Sequence, residues 1–165
     1  MAAISPEIDA AGLLALSGHN EQATSPLDGP SLQALLAQAF HVGLREQGRT
    51  AFLIAFDQDA HYDSPNFHWF RDRYPRFVYV DRVVVSDGAR GRGIARALYE
   101  ALFAASRSAG HELVCCEVNL VPANPGSHAF HEALGFGEVG RGSPDGGAKR
   151  VRYLVHRLAP TDTLR

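Results

Sequence analysis

Apolar residues change their period several times along this chain, and each change marks an element. Leu32, Leu35, Leu36, Ala39 and Phe40 recur at helical spacing, which predicts a helix with one buried face. The run before it, Ser25-Pro26-Leu27-Asp28-Gly29-Pro30-Ser31, suits a turn leading into a helix start. His41 to Arg45 and Thr50 to Phe56, joined by Glu46-Gln47-Gly48-Arg49, read as strand, turn, strand. Ala51 to Phe56 is apolar throughout, the pattern of a strand covered on both faces. Phe77 to Ser86 is again a strand. Ile94 to Ala109 is amphipathic, with Ile94, Ala97, Leu98, Ala101, Leu102 and Ala105 on one face and Gly110 as its stop. Glu112 to Leu120 alternates, placing Val114, Cys116, Val118 and Leu120 on one face and Glu117 and Asn119 on the other. Pro125 to Leu134 is a short helix ended by Gly135. Phe136 to Gly140 and Arg150 to Leu158 pair as a closing hairpin around a Gly-rich turn.

Two stretches resist this treatment. Residues 7–19 are weakly patterned and fit a strand or an irregular lead-in. Asp57 to Arg76 is long for a connection and carries Tyr62, Phe67, Trp69, Phe70 and Tyr74; loops of this length are usually functional or mobile. The order helix, three strands, helix, strand, helix, two strands predicts one α/β (α+β) domain over residues 1–165, a mixed sheet with helices on its faces.

Composition narrows the function without naming it. The chain has 165 residues, is 45% hydrophobic and 21% charged, and its formal charge is -2, which argues against a nucleic-acid partner. Cys115 and Cys116 are adjacent and should face opposite sides of a strand, so neither a disulfide nor a shared metal is expected of them. With no basic leader and no run of about 20 apolar residues, the expectation is a cytoplasmic protein with no membrane partner.

The most informative stretch is Val83-Val84-Val85-Ser86-Asp87-Gly88-Ala89-Arg90-Gly91-Arg92-Gly93-Ile94-Ala95-Arg96. A buried strand enters a tight glycine turn that opens directly into a helix. Glycines let backbone N–H groups approach an anion, and the helix dipole favours negative charge at that end. Arg90, Arg92 and Arg96 add guanidinium forks suited to phosphate oxygens. A P-loop is excluded because the only lysine is Lys149. A dinucleotide fingerprint is excluded because Arg96 stands where its third glycine belongs.

Arg90-x-x-Gly93-x-Ala95 after Val83-Val84-Val85 resembles the acetyl-CoA signature of the GNAT superfamily of acyl-CoA N-acyltransferases, Gln/Arg-x-x-Gly-x-Gly/Ala. A second segment, Asn124, Ser127, Phe130, His131 and Gly135-Phe136, resembles that family's Asn-x-x-small-x-x-Leu/Phe-Tyr-x-x-x-Gly-Phe. The stretches Tyr79 to Val85 and Glu117-Val118-Asn119 resemble an uncharacterised bacterial subgroup. The resemblance implies a GNAT fold with a mostly antiparallel sheet of six to seven strands and splayed central strands. It implies acetyl-CoA as co-substrate, no metal, and direct attack of an amine of a small molecule or peptide on the thioester. It also admits a homodimer. Val83 and Val85 would bond the pantetheine arm, Arg90, Gly91, Arg92, Gly93, Ile94, Ala95 and Arg96 would surround the pyrophosphate, and Asn124, Ser127 and Phe130 would line the arm.

Asp81 stands where many relatives carry a glutamate implicated as base; the alternative is an ion pair with a nearby arginine. An ordinary Asp titrates near ~3.9, too low for a base unless burial raises it. His131 stands where the family commonly has the tyrosine that protonates coenzyme A. An imidazolium near ~6.5 can protonate a thiolate whose acid titrates near ~8.5, and about a quarter of such imidazoles are charged at neutral pH. The alternative for His131 is a partly exposed helix histidine. His128, three residues away, would need further ligands to make a metal site. Asn20, Glu21, Tyr62, Asn66, Trp69, Glu117 and Asn119 are the candidates for the acceptor, whereas Phe67 and Phe70 are expected to pack the aromatic loop down. Two other functions stay open: a non-catalytic acyl-CoA sensor, supported by the missing tyrosine, and a toxin acting on aminoacyl-tRNA, disfavoured by the charge.

Overall fold

Leu53 and its neighbours explain the architecture best. The computed structural model describes residues 8–18, 27–121 and 124–159. In it every residue from Ala51 to Phe56 is fully buried, as an apolar run inside a two-sided sheet requires. The sheet has six strands in the order β1-β2-β3-β4-β6-β5. They are β1 (His41–Arg45), β2 (Ala51–Asp57), β3 (Val78–Val85), β4 (Leu113–Val121), β5 (Gly137–Gly142) and β6 (Arg150–Arg157). All neighbouring pairs are antiparallel except β3 and β4. That pair is parallel because a helix carries the chain back between them. Helices α1 (Ala10–Gly18), α2 (Gly29–Gln38) and α3 (Pro65–Arg71) cover one face, and α4 (Ile94–Ser108) and α5 (Pro125–Ala133) cover the other.

Strand alternation divides the core in two. Phe52, Ile54 and Phe56 meet Leu13, Leu32, Phe67 and Phe70 on the first face; Ala51, Leu53 and Ala55 meet Leu98, Tyr99 and Leu102 on the second. Cys115 and Cys116 fall in different cores, both as free thiols. Each phenylalanine buried completely in the first core is worth roughly 2–3 kcal/mol of transfer free energy.

Two elements correct the sequence reading. Residues 10–18 form a helix instead of a strand or an irregular lead-in. The Asp9 carboxylate accepts from Gly12 N–H at 3.0 Å at its start, and Leu13 and Leu16 anchor it. Part of the long aromatic connection is also helical. Ser64 caps α3 and Pro65 occupies its first turn, so the start signal was present in the sequence. Phe67 and Phe70 pack inward there, as expected. No helix among the described residues is long and apolar enough to cross a membrane.

A β-bulge decides the centre of the sheet. Ile54 pairs with Arg82, but the next residue, Ala55, pairs with Val80, so Asp81 is the extra residue on β3. Before the bulge the odd residue Tyr79 joins the first core and the even residues Val78 and Val80 join the second. After it the parity reverses: Val84 joins the first core, and Val83 and Val85 face the second.

Candidate functional site

The β3–β4 ladder consists of two Cα pairs, Val78 with Val114 and Tyr79 with Cys115. Both strands continue well beyond, to Val85 and Val121. The space between their free halves is a cleft of about 500 Å3 lined by Tyr79 to Val85 and by Cys116 to Asn119. It is the opening through the sheet that connects the α3 face with the α4–α5 face. Backbone groups lining it lack a ladder partner across the gap and are open to an extended ligand.

On the α4–α5 face the cleft meets a second cavity of about 370 Å3, lined by the glycine turn, Ile94, Ala95, Arg96, Phe130 and Ala133. Val85, Arg90, Ala95 and Phe130 line both. Gly93 precedes α4 with φ 75°, without any side-chain cap, and a Cβ built there would meet nothing within 4 Å. The open first-turn amides of a 15-residue helix therefore face free space beside Arg90 and Arg96. Arg90 also pairs with Asp87 at 3.3 Å. Arg92 is exposed and lines neither cavity, which separates it from the other two arginines singled out in the sequence.

Opposite this turn, α5 begins at Asn124, whose side chain accepts from Ser127 N–H at 3.3 Å. Asn124, Ser127 and Phe130 all line the cleft, and the cap shows that Asn124 also holds its own helix. His131 is buried, not partly exposed. Its Nδ1–H donates to Ser127 O at 2.7 Å, and its Nε2 accepts from the Tyr99 hydroxyl at 2.8 Å. Burial lowers the imidazole pKa, so at neutral pH the ring is less charged than the quarter expected of a free histidine. His128 turns elsewhere, with Nε2 at 3.0 Å from Asn119 O and Nδ1 at 2.8 Å from Arg152.

The α3 face of the cleft carries the carboxylates. The bulge turns Asp81 and Arg82 toward each other, with Arg82 Nε donating to Asp81 Oδ2 at 2.6 Å, and both side chains are buried. Tyr62 donates its hydroxyl to the other Asp81 oxygen. Asp81 thus forms the ion pair with a nearby arginine that is its alternative role, and each of its oxygens already accepts one hydrogen bond. Glu117 is placed differently. It accepts one hydrogen bond, from Tyr79 OH at 2.7 Å, and lines the cleft. Burial, aided by the nearby Asp81 charge, pushes its pKa up to about 7.

Among the remaining candidates, Tyr62, Asn66 and Asn119 line the cleft. Asn66 also accepts from Tyr153 OH at 2.9 Å. Trp69 does not line it: the indole stacks on Tyr153 at 4.1 Å, with the Arg73 guanidinium 3.9 Å from its ring. Asn20 and Glu21 lie outside the described residues. Sequence reasoning missed Tyr79, Tyr99, Cys116 and Arg82. A hint was available for the tyrosines, since a buried phenol requires a hydrogen-bond partner.

Comparison with known proteins bears on the family and the fold. Residues 64–136 match the acetyltransferase (GNAT) family. The L-2,4-diaminobutyric acid acetyltransferase of Wolinella succinogenes is 28% identical over 82 residues, a match spanning 50% of this chain and 47% of that protein. Among solved structures, the ribosomal-protein-alanine N-acetyltransferase of Brucella melitensis has TM-score 0.66 at 21% identity, covering 94% of this chain and 98% of that one. The yncA protein of Salmonella typhimurium, solved with its cofactor acetyl-CoA, has TM-score 0.66 at 16% identity, covering 99% and 96%. At such identities these structures speak to the fold.

Proposed function

Because the chain carries an acetyltransferase domain of the GNAT family, we propose that it transfers the acetyl group of acetyl-CoA to a primary amine of a small molecule or peptide. The observation that carries this reading is the gap between β3 and β4, with a glycine-lined helix start on one face and the Glu117 carboxyl on the other. The donor would enter from the α4–α5 face. Its pyrophosphate would sit at the amides from Arg90 to Ala95, through Gly91, Arg92, Gly93 and Ile94, with guanidinium help from Arg90 and Arg96. Its arm would run along the unpaired backbone of Val83 and Val85, against Asn124, Ser127 and Phe130.

The acceptor would approach from the α3 face, past Tyr62, Asn66 and Asn119. In this reading the base is Glu117. A carboxyl with pKa about 7 is half ionised at neutral pH and far stronger as a base than an ordinary one. As the amine nitrogen attacks the thioester carbon, Glu117 takes its proton. Asp81 then serves indirectly, fixing Tyr62 and helping to hold the Glu117 pKa up. Trp69 supports the α3 wall from behind instead of touching the acceptor.

The test is acetyl-CoA turnover against amino acids, polyamines, aminoglycosides and peptide N-termini, read by mass spectrometry. Acetylation of at least one class, abolished by Glu117→Gln, is the expected result. Acetyl-CoA binding with no acceptor turned over would assign a sensor instead. No binding of acetyl-CoA would overturn the reading.

A further inference from the structure

Resting on that reading, the departing sulfur of coenzyme A needs a proton on the α4–α5 side, and the structure shows which group can meet it. The β3–β4 ladder closes at Tyr79 and Cys115, so an arm lying in the gap must end beside the next residue of β4, Cys116. Tyr99, from the second turn of α4, brings its hydroxyl to this point. That hydroxyl lies against the Cys116 thiol and bonds His131 Nε2 at 2.8 Å. Tyr99, Cys116 and His131 all line the cleft. His131 itself has no nitrogen to spare, since Nδ1–H is spent on Ser127 O and Nε2 on Tyr99.

We propose that Tyr99 is the catalytic residue that protonates the leaving thiolate, and that His131, directly behind it, supplies the proton through it. The two ring states turn the hydroxyl in opposite directions. A neutral His131 accepts the Tyr99 hydrogen at Nε2. An imidazolium donates from Nε2 to the phenol oxygen and frees the Tyr99 hydrogen to point into the cleft. When the C–S bond breaks, its electron pair leaves with sulfur. The Tyr99 proton forms the S–H bond, the Nε2 proton replaces it on the phenol oxygen, and His131 is left neutral with its Nδ1–H intact. The steps sum to transfer of one proton from an imidazolium to a thiolate, which is downhill because the thiol is the weaker acid by about two pH units. The titratable groups around the pair are Cys116 and Glu117 from β4 and His128 from α5. Burial pushes the Cys116 thiol well above its ordinary range, so it stays protonated and does not compete for the role.

Coenzyme A alone tests this without knowledge of the acceptor. Its thiol is titrated on the protein by ultraviolet thiolate absorbance, as the difference between loaded and free protein. A thiolate outcompetes a neutral imidazole for the Tyr99 hydrogen. Tyr99→Phe should therefore raise the midpoint of the bound thiol by about one pH unit, the usual worth of a hydrogen bond to a charged group. His131→Gln keeps Tyr99 in place and should leave the midpoint at or below the wild-type value. An unchanged midpoint in Tyr99→Phe overturns the proposal while leaving the acetyltransferase reading intact. So does a rise in His131→Gln, which would make His131 the sulfur's partner, and that variant decides alone if Tyr99→Phe does not fold. Failure of coenzyme A to bind the wild-type protein overturns the acetyltransferase reading itself, and this step with it.

Discussion

Glu117→Gln should make the protein more stable and inactive at once, by an amount that depends on pH. The Glu117 carboxyl titrates at about 7 in the folded chain against 4.5 when unperturbed. A folded pKa raised in this way means that the folded state holds a proton the unfolded chain releases. The associated stability is fully present below pH 4.5 and is lost as pH rises through 7. A gap of 2.5 pH units corresponds to about 3 kcal/mol above pH 8, and about 1 kcal/mol of that is already lost at pH 5. Glutamine keeps the shape and can accept from Tyr79, but it has no charge to bury. Its advantage over the wild type should therefore grow by about 2 kcal/mol between pH 5 and pH 8.5. For a chain of this size that is a difference of roughly 4–8 °C in melting temperature. Paired thermal melts across that range measure it, and the other ionisable groups cancel in the comparison. A melting difference that is constant with pH, or a variant that loses stability at pH 8.5, would refute the account of Glu117 as a half-buried carboxyl with a raised pKa.

Three further outcomes follow from the same geometry. Gly93→Ala places a Cβ in a left-handed conformation and in the open space at the α4 amides. It should cost about 1 kcal/mol of stability and weaken acetyl-CoA binding at least about tenfold by calorimetry. Asp81→Asn removes the charge that neutralises buried Arg82, and denaturant unfolding should show a loss of about 3 kcal/mol or more. Trp69→Ala strips the stack from Tyr153 and leaves a void against Gly140, where a Cβ would lie 2.5 Å from the indole. It should destabilise by about 3 kcal/mol with acetyl-CoA affinity unchanged.

Much of the frame was legible along the chain. The helix over Ile94–Ser108 and the two-sided strand over Ala51–Asp57 announce themselves because an amphipathic or unbroken apolar pattern is a local property. Residues 10–18 hid their helix for the opposite reason: Ala-Ala-Gly-Leu-Leu-Ala-Leu-Ser-Gly has almost no polar face to set a period. Ser64-Pro65 signals the start of α3, but a helix of seven residues among dense aromatics is too short to show a period. In the site, the glycine turn and the start of α5 were found where the structure has them. The roles of the two carboxylates could not be ranked, since an isolated Asp and an isolated Glu look alike until their neighbours are known.

The sequence by itself determined the order of the six strands with α2, α4 and α5, the two-sided core and the glycine-rich turn that opens α4, because each depends on residues a few positions apart. The tertiary structure alone decided which polar groups meet. The bulge at Asp81 exists only as a mismatch between β2 and β3, and it is what turns Asp81 onto Arg82 and Tyr62. The pairing of Tyr99 with His131 joins residues 32 positions apart on two helices. Ionisation and proton direction are set by burial and by the nearest partner, and both are properties of the packed space that no single stretch of chain contains.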